Sequence, residues 1–150
     1  MKISHVKPHG ALYNRSASDA DVAATIASVV RDIDPELILY GLSGSVSIIE
    51  AKEAGLRTAS EVFADRGYRS DGSLVPRSEP GALLTTAADA ADQALAMAMD
   101  GLVISVTGEQ VAVESDTICI HGDGQFAVEF ASAIRTTLLK HNIRIHPLNA

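Results

Sequence analysis

Five short apolar runs, "ISHVK" (3–7), "ELILYG" (36–41), "LRTASEVF" (56–63), "LVISV" (102–106) and "DTICI" (116–120), alternate along the chain with stretches of helical period. Runs near-continuous in Ile, Leu and Val suit strands covered on both faces, as in parallel sheets. Strands that alternate with helices are joined by right-handed crossovers, so the pattern predicts an α/β fold. The helical stretches begin near Ser18, Ser45, Ala88 and Gln125. From Ser18 the positions Val22, Ile26, Val29 and Ile33 recur at three- and four-residue steps, and Ser18 with Asp21 reads as a capping box. The second stretch runs to Ala54 and is closed by Gly55. The third runs to Asp100 with Ala88, Ala91, Leu95 and Met99 inward. The fourth runs to Lys140 with Phe126, Phe130, Ile134 and Leu138 on one stripe. At 150 residues the chain suits a single domain over 1–150.

One segment breaks the rhythm. "DRGYRSDGSLVPRSEPGALL" (65–84) is a long polar connection, and loops of that length are functional or mobile. Composition narrows the classes of function. With a net charge of −7, the chain lacks the basic footprint of a nucleic-acid or anionic-membrane binder. No apolar window is long enough to span a bilayer, and "MKISHVKPHG" has no apolar core of a signal peptide. The single cysteine, Cys119, fits a reducing cytoplasm and reads as a buried thiol. No phosphate-binding P-loop pattern is present.

Polar residues gather where the apolar runs end. "ISHVK" leads into Pro8, His9 and Gly10; "LRTASEVF" into Asp65, Arg66, Gly67 and Tyr68; "DTICI" into His121, Gly122, Asp123 and Gly124. "ELILYG" leads into the turn Leu42-Ser43-Gly44-Ser45, which can cup an anion at a helix N-terminus. In parallel α/β folds that edge of the sheet is where ligands bind. His5, Lys7 and His9 alternate, so an extended chain shows them on one face; His5 reads as a packing histidine, and Lys7 with His9 as ligands or a solvated strand end. Glu61, Phe63 and Asp65 alternate likewise. Their two carboxylates either converge on a metal or proton or pair with Arg66 or Arg77. His121 shares a face with Asp123, and Asp123 is equally a helix cap. His141 and His146 read as solvated.

Taken together, "HVKPHGALYN", "EVFADRGYRSDGSLVPRS", "SVTGE" and "CIHGDG" resemble the LamB/YcsF family over essentially the whole chain. The resemblance implies parallel strands ringed by helices, in a barrel of the glycoside hydrolase/deacetylase kind. It also implies ATP-dependent opening of 5-oxo-L-proline to L-glutamate by the A-subunit of a 5-oxoprolinase, working with partner subunits B and C. On that reading His9, Glu61, Asp65 and His121 are catalytic, and Lys7, Asn14, Arg66, Tyr68 and Arg77 bind substrate. His9, His121 and Asp123 are candidate ligands of a divalent metal, and ATP is bound by the partners.

The stretches with which the family's chains open are not found here. Five strands do not close a barrel that takes eight strands and about 250 residues, so a partial (β/α) barrel is expected. Its open edges invite pairing of two copies into a homodimer. Two other readings stand beside the 5-oxoprolinase: a non-catalytic scaffold that binds partners, and a metal-dependent amide or ester hydrolase of the deacetylase kind.

Overall fold

The computed structural model describes residues 3–122 and 126–148. The described backbone divides into two units, residues 3–61 with 148, and residues 62–122 with 126–147. The fold is α/β, with parallel strands alternating with helices in the succession of part of a (β/α) barrel.

The first unit holds β1 (His5–Val6), α1 (Ala11–Ser16), α2 (Ala20–Ile33), β2 (Ile38–Leu42), α3 (Val46–Glu53) and most of β3 (Arg57–Phe63). The short helix α1 was not expected, because six residues carry too little period to read. The three strands run parallel, with His5 opposite Ile38, Tyr40 opposite Ala59 and Leu42 opposite Glu61. One sheet face carries Val6 and Leu39, which pack with Ala27, Val30, Leu37, Ala51 and Leu56 in the core beneath α2 and α3. Alternation puts His5, Tyr40, Ala59 and Glu61 on the other face.

The stripe of α2 differs from the sequence expectation. Ala23, Ala27 and Val30 face the core, whereas Val29 and Ile33 are exposed. Small alanines let the helix axis approach the sheet closely, which outweighs the bulk of the β-branched residues. The cap is also one residue later than expected. Asp19, not Ser18, accepts from the Val22 N–H at 3.2 Å, and Arg15 Nη2 lies 2.6 Å from Asp19 Oδ2. The bond from Val22 is the main cause holding the Asp19 carboxyl below the usual carboxylate range. A lowered value stabilises the folded chain above the ordinary carboxylate range, and that contribution fades as pH falls through the lowered value.

The second unit holds the end of β3, then α4 (Ala87–Asp100), β4 (Leu102–Ile104), β5 (Gln110–Ala112), β6 (Thr117–Cys119) and α5 (Ala127–Lys140). β6 lies beside β3, and Ala64 N donates to Cys119 O at 3.1 Å. The run 102–106 does not join this sheet. It forms an antiparallel hairpin with β5, Leu102 opposite Ala112, which corrects the expectation of a parallel strand there. The turn "SVTGE" fixes the hairpin: Ser105 N donates to Glu109 O at 2.8 Å, and Glu109 N to Ser105 Oγ at 3.0 Å. α4 buries Ala90, Ala91, Ala94 and Met97 rather than Ala88 and Met99, and this small-residue face packs on Phe130, Ile134 and Leu138 of α5. Phe126 precedes α5 and is half exposed.

The segment 65–84 is closely hydrogen-bonded. Arg66 is buried and donates through Nε to Ala82 O at 3.0 Å and through Nη2 to Val75 O at 2.6 Å. Gly67 N donates to Ala82 O, Val75 N to Gly67 O, and Leu84 N to Asp65 O, each at 3.0 Å. A Cβ on Gly67 would overlap the Gly81 carbonyl oxygen and press on Val106. Gly67→Ala is therefore expected to destabilise the protein by about 1–3 kcal/mol through overpacking, read as a lower urea midpoint at unchanged slope. Asp19→Ala is expected to lower Tm at neutral pH, with the difference from wild type closing in acid.

Candidate functional site

In the first unit, Glu61 lies inside a strand buried without interruption from Ala59 to Phe63. Its residue exposure is 3%, and a carboxylate so buried has to be matched by charge or hydrogen bonds. Lys7 Nζ donates to Oε1 at 2.7 Å. The other oxygen, Oε2, is buried and has no hydrogen-bond partner among the described residues. Lys7 is one-third exposed, and its ammonium also lies 5.4 Å from the centre of the Tyr13 ring, at cation–π distance. Tyr40 shares the sheet face of Glu61. Burial first, and the Glu61 charge second, push its phenol above the ordinary tyrosine value. His5 stacks on the Tyr40 ring at 4.5 Å between centroids.

The second unit holds a histidine–carboxylate pair. Asp65 follows β3, and His121 follows β6. The His121 backbone N–H donates to Asp65 Oδ2 at 3.0 Å, and its Nδ1 lies 2.9 Å from Oδ2 and 3.1 Å from Oδ1. An ionised carboxylate only accepts, so Nδ1 carries the proton and Nε2 is the basic nitrogen. The imidazole stacks on Phe63, with ring centres 5.6 Å apart and planes 20° from parallel. The Asp65 side chain is 10% exposed and that of His121 27%. Orientation is thus fixed by a backbone bond, a ring bond and a stack.

Gln93 on α4 supports this arrangement from behind. Its Nε2 lies 3.0 Å from Phe63 O, 3.2 Å from Ala64 O and 2.9 Å from Arg66 O, the carbonyls on either side of Asp65. Only its polarity within an alanine-rich helix marked it in the sequence, as with Tyr40 in an apolar strand.

The remaining candidates separate by environment. His9 and Asn14 are exposed, His9 beyond the end of β1 and Asn14 on α1. Arg66 is engaged by the backbone of its own loop. Burial first, then the neighbouring Arg77, lowers its guanidinium below the ordinary value. Tyr68 is fully buried and its hydroxyl accepts from Phe63 N–H at 2.7 Å. Arg77 is exposed on the same loop. The pairing of Glu61 or Asp65 with Arg66 or Arg77 gives way to Lys7–Glu61 and Asp65–His121. Asp123 lies outside the described residues. Among the described residues no group of three His, Cys, Asp or Glu side chains is placed to hold a metal ion. No helix is long and apolar enough to cross a membrane, among the described residues.

Gln93→Leu would leave the carbonyls flanking Asp65 without their side-chain donor. The expected result is a loss of about 1–3 kcal/mol, together with faster hydrogen exchange at the His121 amide than global destabilisation alone produces.

Known proteins resemble this chain in sequence and fold. The LamB/YcsF family matches residues 1–150. The A-subunit of 5-oxoprolinase from Tolumonas auensis is 54% identical over 145 residues, covering 97% of this chain and 58% of the relative. Its counterpart from Geobacillus kaustophilus is 53% identical over 143 residues, covering 95% and 56%. The crystal structure of a lactam utilization protein from Thermus thermophilus superposes with a TM-score of 0.89 at 42% identity, covering 97% of this chain and 58% of that one. The chain thus spans just under three-fifths of the length of these relatives.

Proposed function

The chain belongs to the LamB/YcsF family, and from that premise we propose that it serves in the A-subunit of an ATP-dependent 5-oxoprolinase that opens 5-oxo-L-proline to L-glutamate. The observation that carries this reading is the Asp65–His121 pair, with Nδ1 2.9 Å from Oδ2 and 3.1 Å from Oδ1; an ionised Asp65 only accepts, which puts the proton on Nδ1 and leaves Nε2 as the acceptor nitrogen. Ring opening adds water across an unstrained amide, so a proton has to leave the attacking water and another has to reach the departing nitrogen. A histidine oriented by a carboxylate can do both, in the order base then acid. Asp65 holds the ring and stabilises the imidazolium that forms.

An amide resists water at neutral pH. Phosphorylation of its oxygen by ATP makes the ring carbon electrophilic; water addition with C–N cleavage then leaves an acyl phosphate, which a second water cleaves to glutamate and inorganic phosphate, and this chain carries no P-loop. We therefore assign ATP to partner subunits B and C and the hydrolytic step to this chain. Lys7 and Arg77 are cations suited to the substrate carboxylate or to a phosphorylated intermediate. Asn14, Arg66 and Tyr68 belong to the same substrate-binding assignment, Arg66 and Tyr68 by shaping the 65–84 loop. His9 and Glu61 remain candidates for proton transfer, and His9, His121 and Asp123 for a divalent metal. A cytoplasmic location and pairing of two copies complete the proposal.

The test is glutamate release from 5-oxo-L-proline and ATP by the native assembly that contains this chain. His121→Asn and Asp65→Asn are expected to lower kcat by about 10²–10⁴-fold with little change in KM. Full activity in both variants, or no 5-oxo-L-proline turnover by the wild-type assembly, would overturn the assignment.

A further inference from the structure

Glu61 presents a problem that its partner Lys7 solves only in part. Burial costs a carboxylate its water on both oxygens, and leaving one acceptor unmatched is among the more expensive arrangements a core can hold. Oε1 is matched by the Lys7 ammonium at 2.7 Å, while Oε2 is buried with no hydrogen-bond partner among the described residues. The two members of the pair differ in mobility. Glu61 is fixed in the middle of paired strands, with its side chain 4% exposed, whereas the Lys7 side chain is 33% exposed at the end of β1. An ammonium on a long, part-exposed stem can turn from Oε1 toward another anion only where a new donor reaches the carboxylate, since a buried charge left alone is costly. Lys7 is then the adjustable member of the pair, and the carboxylate the fixed one.

Such a pair offers one anion that accepts N–H and one cation that donates to a carboxylate, side by side. In 5-oxo-L-proline the ring N–H and the carbon bearing the carboxylate are directly bonded to each other. The two groups therefore lie as close together as the two charges of the pair. We propose, resting on the 5-oxoprolinase reading above, that Glu61 Oε2 accepts the lactam N–H while Lys7 turns to the adjacent carboxylate. The pair is then the element that distinguishes a cyclic amide acid from its oxygen analogue. Tyr40, held protonated beside Glu61, keeps the surroundings neutral and does not compete as an anion. Glu61 acts here as a recognition residue, since an N–H left without an acceptor, or an acceptor without its N–H, is what gives hydrogen-bonding sites their selectivity.

The experiment measures binding by competition against labelled 5-oxo-L-proline on the native assembly, with three probes. These are 5-oxo-L-proline itself, the lactone with oxygen in place of N–H, and 2-pyrrolidinone, which lacks the carboxylate. Wild type is expected to bind the lactone about 10²-fold more weakly than the lactam. Glu61→Met is expected to bring lactam and lactone within about threefold of each other, well inside what a lost hydrogen bond is worth. Lys7→Met is expected to narrow the gap between lactam and 2-pyrrolidinone while keeping the preference for lactam over lactone. The double variant Lys7→Met, Glu61→Met removes both charges together, leaves neither uncompensated, and is expected to lose both preferences. A purely structural pair would weaken all three probes alike, and that outcome overturns the inference. So does a wild-type lactam-to-lactone ratio near one, which needs no variant to fold. Glutamate release by the wild-type assembly is read in parallel, so that failure of the 5-oxoprolinase reading is told apart from failure of this assignment.

Discussion

A carboxylate inside a strand that is buried from Ala59 to Phe63 constrains everything around it. Parallel strands covered on both faces exclude water, and the backbone bonds of β2 and β3 fix Glu61 opposite Leu42. The charge can be tolerated only if a cation comes to it. The loop after β1 supplies Lys7, and α1 supplies the Tyr13 ring on which the ammonium rests. The sequence "HVKPHGALY" is in this sense a device for delivering one cation to one buried oxygen. Proline and glycine end the strand after Lys7, and the helix that follows returns an aromatic face beneath it. Burial on the opposite side of the sheet, through Val6 and Leu39 against α2 and α3, holds the strands that make this register possible.

The second unit meets the same difficulty with different means. Asp65 and Arg66 are adjacent, both buried, and opposite in charge, yet they do not pair with each other. Arg66 turns into its own loop and satisfies the carbonyls of Val75 and Ala82. That leaves Asp65 for His121, which meets it with a ring nitrogen and a backbone N–H. The division matters for chemistry. Had the guanidinium taken the carboxylate, the imidazole would have lost the partner that sets its tautomer. A long loop is thus ordered by one buried side chain so that a second can orient a histidine.

The parts of this arrangement legible in the sequence were those set by period and by position. Alternating apolar runs pointed to the α/β class, and His121 and Asp65 each stand just past an apolar run, where the fold brings the two side chains together. What escaped was decided by packing. The core face of α2 goes to alanines because closeness to the sheet is worth more than side-chain bulk, a trade that hydrophobic period alone does not weigh. "LVISV" has the composition of a buried parallel strand, but Gly108, at φ 87°, turns the chain back on itself, and the hairpin wins over the sheet. Pairing of charges escaped as well. The sequence offered Arg66 or Arg77 as partners of Glu61 and Asp65, while the ion pairs that the fold delivers join residues 54 and 56 positions apart.

The same separation explains why Gln93 was invisible as a supporting residue. Its amide acts only on main-chain oxygens, at Phe63, Ala64 and Arg66, so nothing in the side chains of those residues hints at it. Yet these three carbonyls bracket Asp65, and a shift in any of them moves the carboxylate that orients His121. A hydrogen bond from a helix to a strand end is stiff where a loop's own bonds are not, because α4 is anchored along its length by Phe130, Ile134 and Leu138. The precision of the histidine–carboxylate pair therefore rests on an alanine-faced helix whose inward-reaching glutamine touches neither member of the pair. The geometry of the pair is supplied by strand ends, but its tolerance is set by a helix behind them.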